Sequence, residues 1–183
     1  MNHNMKKRFI TKGLILTCAA MLMSSLVWAQ QDKATRPSPP QTATGKVGGA
    51  TVTITYSSPS VKGRKIFGDL VPYDKIWRAG ANEATIFETD KEVKVEGKSL
   101  PAGKYSLYAI PGEKEWSFVF NSEVGQWGIK RGGDTTKDPA KDVLSIMAKP
   151  VKSASMTEKM IYEVTSKGFL LRWENTEVPV MIN

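Results

Sequence analysis

From residue 50 to residue 183, apolar and polar positions alternate in short runs, and glycine or proline separates many of the runs. Val52, Ile54 and Tyr56 alternate with Thr51, Thr53 and Thr55, and threonine itself suits a pleated surface. Similar runs fall at 84–89, 105–110, 143–148, 156–164, 169–174 and 178–182. The clearest core strand sets Trp116, Phe118 and Phe120 against Ser117, Val119 and Asn121. The runs 93–95 and 98–100 flank Glu96-Gly97 and predict a tight hairpin, and Ser166-Lys167-Gly168 predicts another turn. Pro101-Ala102-Gly103 and residues 111–114 turn the chain as well. Many short strands, turn signals and no helical period argue for an all-β domain, an antiparallel β-sandwich or jelly roll.

One stretch breaks the rhythm. Residues 59–85 do not alternate, and charged, aromatic and turn-forming residues crowd together there. Residues 66–76 leave room for one helical turn at most. If the domain carries a site, this is the place to expect it. Arg64 and Arg78 offer planar forked donors for a carboxylate, a phosphate or sugar hydroxyls. Tyr73 and Trp77 offer faces for a ring or a sugar. Asn82 and Glu83 complete the polar set, and Trp127, between Gly125 and Gly128, is a further wall. A structural reading competes with this one: a long irregular connection must satisfy its own backbone groups, and Arg, Asn and Asp do that well. Trp116 and Trp173 lie in phase with apolar faces and belong to the core.

The ends of the chain set the compartment. Lys6, Lys7 and Arg8 precede a mainly apolar run that closes on Val27-Trp28-Ala29, the pattern of a signal peptide cleaved after Ala29. The expected location is therefore periplasmic or secreted, with no membrane span in the mature chain. Residues 30–49 are rich in Pro, Thr, Gln and Gly, have little to bury, and read as a disordered linker before the domain at 50–183. Taking the leader's four basic residues from the 26 leaves 22 against 18 acids, a net +4 rather than +8. That excess is dispersed, so no nucleic acid partner is expected.

The only Cys, Cys18, and the only His, His3, fall in the leader. The mature chain thus has no disulfide, no His or Cys zinc site, and no Ser-His-Asp or Cys-His nucleophile. Acid–base chemistry would rest on carboxylates, Lys or Tyr. Asp69, Asp74 and Glu83 are close enough in sequence to supply a hydrolase pair, but nothing in the sequence fixes their separation. Asp134, Asp138 and Asp142 are spaced too widely for a calcium loop. No cofactor, metal or catalytic residue is assigned. The balance favours a binding module for a small polar ligand, a carbohydrate or an anionic metabolite. The alternatives are a carboxylate-dependent hydrolase and a domain that docks onto another envelope protein.

Several runs carry a family resemblance. They are Ser58-Pro59-Ser60-Val61-Lys62-Gly63-Arg64, Trp77-Arg78-Ala79-Gly80-Ala81-Asn82-Glu83-Ala84-Thr85, Leu100-Pro101-Ala102-Gly103-Lys104-Tyr105-Ser106-Leu107 and Trp173-Glu174-Asn175. In these the chain resembles the exported bacterial family known as domain of unknown function 2911. The resemblance implies one exported domain and no established activity, substrate or catalytic residue.

Overall fold

A computed structural model describes residues 33–183. The leader expected at 1–29, and the cleavage after Ala29, lie outside the described residues. Lys33–Thr35 forms a single 3₁₀ turn. The strands of the domain, in chain order, are β1 (Pro40–Val47), β2 (Ala50–Ser57), β3 (Thr85–Thr89), β4 (Val93–Val95), β5 (Lys98–Leu100), β6 (Gly103–Ile110), β7 (Trp116–Asn121), β8 (Asp142–Ala148), β9 (Val151–Thr165) and β10 (Gly168–Met181).

The strands build the expected antiparallel sandwich. One layer has six strands in the order β1-β2-β3-β6-β7-β8. The other is the long β9–β10 hairpin, extended by β4–β5. The join is made where Lys94 and Asn183 exchange backbone hydrogen bonds of 2.8 and 2.9 Å and Glu96 N donates to Met181 O at 3.0 Å. Glu96 and Gly97 both take positive φ, 47° and 79°, the mirror-image two-residue turn that matches strand twist. Alternation decides what meets between the layers. Val52, Ile54, Phe87, Leu107, Phe118 and Phe120 face Phe169, Leu171, Trp173, Val178 and Val180 in one core.

At two places the chain departs from the sequence expectation. The first is the linker expected at 30–49. Residues 40–47 instead form β1, paired with β2 from Pro40↔Ser57 to Val47↔Ala50. Only Val47 of this strand is buried, so hydrophobic pattern could not announce it. Its stability comes from the ladder and from a close approach to β9. A methyl at Gly45 would sit 2.9 Å from the Val164 carbonyl oxygen, so glycine is needed there.

The second is the irregular segment, residues 58–84. It forms turns and isolated bridges and no helical turn. It is also no surface connection, because Val61, Ile66, Phe67, Val71 and Ala79 are buried in the main core. The segment plugs one end of the sandwich. Phe67 packs edge-on to Trp116, Trp77 and Trp173 at 4.8, 6.2 and 6.0 Å between ring centres. Apolar residues that fill an end need neither period two nor period 3.6, and so the pattern fades here.

Candidate functional site

The plug is fixed by backbone bonds to both layers. Val61 N donates to Glu158 O at 2.8 Å, and Met160 N donates to Pro59 O at 2.9 Å, tying it to β9. Trp77 and Ala109 exchange bonds of 2.7 and 2.8 Å, tying it to β6. Four non-glycine residues here take positive φ: Lys62, Asp74, Ala79 and Asn82, at 49° to 58°. Each costs on the order of 1 kcal/mol and persists only where surrounding contacts dictate it.

For Ala79 those contacts are clear. Its carbonyl accepts from Tyr162 Oη and from Thr85 Oγ1, both at 2.9 Å and both buried. Tyr162 N in turn donates to Tyr56 Oη at 3.1 Å. Burial holds the Tyr162 phenol well above its ordinary pKa, and neighbouring Tyr56 adds to the shift. The neutral hydroxyl is therefore kept as a donor. This buried knot fixes the chain immediately after Trp77 and Arg78 and so aims those two side chains.

Both line an open cleft of about 770 Å³ at the plugged end. Arg64, Lys75 and Arg78 supply three cations to its lining, and Asp134 supplies the one carboxylate among the lining residues. Arg64 is locked by neutral partners, with Nε donating to Val61 O at 3.0 Å and Nη2 to Ser60 O at 2.6 Å. Carbonyls fix a guanidinium without cancelling its charge. Arg78 Nη1 donates to Trp127 O at 3.2 Å, and its guanidinium carbon lies 5.4 Å from the centre of the Trp127 ring. Burial pushes the Arg78 pKa down, and the Glu83 charge offsets part of that. Among the described residues, none of these three cations is ion-paired to a carboxylate within salt-bridge distance.

The floor and walls are apolar. Trp77 stacks on Trp173, with ring centres 6.0 Å apart and planes 20° apart, and anchors its Nε1 on Gly80 O at 3.0 Å. Trp173 is 2 % exposed yet borders the cleft, so one indole belongs to both core and cleft lining. A further wall comes from Ile129 and residues 132–135 of the β7–β8 connection. That connection folds back over the outer face of β6 and β7. Ala84 N donates to Gln126 O at 3.1 Å, and Gly128 abuts Arg78, where a methyl would meet Arg78 Cβ at 2.8 Å.

Of the seven residues expected from sequence, Arg64, Trp77 and Arg78 line the cleft. Trp127 is 48 % exposed and supports Arg78 from outside the lining. Tyr73 packs against the core, its ring filling the space a side chain at Gly68 would take. Asn82 Nδ2 donates to Ser38 O at 2.8 Å, closing the chain before β1 onto the plug. Glu83 acts on Arg78 through its charge. Tyr73, Asn82 and Glu83 are not among the lining residues, nor are Asp69 and Asp74 of the hydrolase alternative. Sequence reasoning missed Lys75 and the wall at 129–135. Lys75 lay inside the suspected segment, whereas no local pattern ties 129–135 to it.

Of the three aspartates weighed for calcium, Asp138 Oδ1 accepts from Ala140 N at 2.9 Å and Asp142 Oδ1 accepts from Asn121 Nδ2 at 2.7 Å, while Asp134 stands on the cleft wall. Among the described residues, no helix is long and apolar enough to cross a membrane.

The family described as a protein of unknown function, DUF2911, matches residues 38–182. The chain belongs to that family. No curated protein and no solved structure matches it. The family match begins at Ser38, just before β1, which agrees with β1 being part of the fold.

Proposed function

We propose that this family member is a binding module that holds a small anionic ligand in the plugged-end cleft. One observation carries the reading: three cations, none within salt-bridge distance of a carboxylate among the described residues, line a cleft of about 770 Å³, within the range of small-molecule sites. Arg64 and Arg78 are held in place before any ligand arrives, which lowers the ordering cost of binding. A carbohydrate fits less well. Sugar sites present neutral and acidic acceptors, and Ser38, Thr135 and Asp134 are few against three cations.

Thermal-shift measurements against carboxylates, phosphates and neutral sugars test the reading, because a ligand that binds only the folded state raises its melting temperature. An anion class is expected to stabilise the protein. Arg64→Ala and Arg78→Ala should each weaken that ligand roughly 10- to 100-fold, the loss of a charge-assisted contact. Stabilisation by sugars alone, or undiminished binding in both variants, contradicts the proposal.

The docking alternative draws on β8, an edge strand whose outward Val143 and Met147 are exposed. Lys98 Nζ bonds Ser145 O at 3.0 Å and sets an ammonium on that edge, a feature that discourages strand addition.

A further inference from the structure

We infer that the ligand is amphipathic: an anionic head on a flat or aliphatic apolar body, as in an aryl or medium-chain carboxylate. The inference rests on the anion-binding reading and adds the class of molecule. The cations alone would suit phosphate or acetate, but the rest of the lining would not. Leu70, Pro72, Ile76, Trp77, Ile129 and Trp173 make most of the remaining cleft surface apolar. Leu70 borders the cleft and is 45 % exposed, so this part of the apolar wall is open to a bound molecule. Trp77, backed by its stacked partner Trp173, lines the cleft along with Arg78. A small hydrophilic anion would reach the cations and leave this apolar wall wet.

The test is titration calorimetry at constant ionic strength with matched probes: acetate, inorganic phosphate, octanoate, 2-naphthoate, methyl 2-naphthoate and maltose. Octanoate and 2-naphthoate should bind at least about tenfold more tightly than acetate, since withdrawing roughly 60 Å² of apolar surface from water is worth that much. The neutral ester should lose about tenfold or more relative to its acid, as the cations then have no charge to meet. Leu70→Ser should weaken 2-naphthoate several-fold and leave acetate unchanged. Acetate or phosphate binding as tightly as 2-naphthoate overturns the apolar body and leaves the anion site standing. Maltose binding without any anion overturns both the apolar anion and the anion site. No binding by any probe overturns the binding module itself. Sedimentation with phosphatidylglycerol vesicles, without binding of the soluble acids, overturns the assignment to a free molecule and points to a lipid surface.

Discussion

The sandwich and its plug solve the same problem by different means. In the strands, alternation sends one side chain inward and the next outward, and the ladder satisfies the backbone wherever it runs. In residues 58–84, burial follows no period. The backbone there is satisfied by single long-range bonds, to Glu158, Ala109, Ser57 and Pro111 among others. Four left-handed residues are the conformational cost of that path. The strands carry stability and give the cleft only Trp173 among its lining residues. The plug, built by exception, holds Arg64, Lys75 and Arg78 where a repeating structure would have turned them to solvent. A site is easier to build where the chain is not obliged to repeat.

The largest effects should come from the regular core. Phe118→Ala removes a fully buried ring in contact distance of Trp116 and Phe169 and should lower unfolding free energy by about 3–5 kcal/mol in urea titrations. The sharper test is Ile66→Ala. Ile66 is fully buried in the plug, so about 2–4 kcal/mol should be lost. A change within about 0.5 kcal/mol would mean that the segment is a surface connection after all.

Tyr162→Phe deletes a buried donor to the Ala79 carbonyl while Thr85 still bonds it. A loss of about 1–2 kcal/mol is expected. Its pH signature is specific. Because the folded phenol has its pKa raised from 10.0, the stability from its neutral form is whole below the unfolded pKa. It is lost as pH rises from about 10, where the unfolded phenol titrates, toward the folded value. Denaturation between about pH 9 and 11 should therefore be less steep with pH in Tyr162→Phe. Some slope should remain from Tyr56, whose pKa is also raised by burial. The smallest effect belongs to Ala79→Gly. It relieves a φ of 52° but frees the unfolded chain, so stability should shift by no more than about 1 kcal/mol. Any loss it causes should show mainly in ligand affinity.

The strands were legible because burial on one face forces period two. Trp116, Phe118, Phe120 and the turn at Glu96-Gly97 stand where their pattern put them. Strand β1 was not legible: a polar edge strand with one buried residue differs little in composition from a tether, and its partner lies in β2, not in itself. The irregular segment announced itself by lack of pattern, and its two arginines and Trp77 do share a cleft. Tyr73 and Asn82 could not be separated from them, because a tyrosine that fills a core and one that faces a ligand look alike in sequence. The wall at 129–135 was hidden for a different reason: a long-range fold-back brings it to the cleft. Trp173 fitted the core by phase and does sit there, yet it also reaches the cleft, and alternation cannot express two roles for one ring.

The central claim, that the plugged end holds a small anion, is tested most directly by the tryptophan side chains. Trp77 and Trp173 line the cleft, Trp127 lies under Arg78, and Trp116 is buried between the layers. Two-dimensional ¹H–¹⁵N spectra resolve their indole N–H groups during titration with 2-naphthoate. The expected result is saturable movement of the Trp77 and Trp173 resonances, a smaller change at Trp127, and a shift of these responses to roughly 10- to 100-fold higher ligand concentration in Arg78→Ala. Saturable binding that leaves Trp77 and Trp173 unmoved, or that Arg78→Ala does not weaken, would contradict the account.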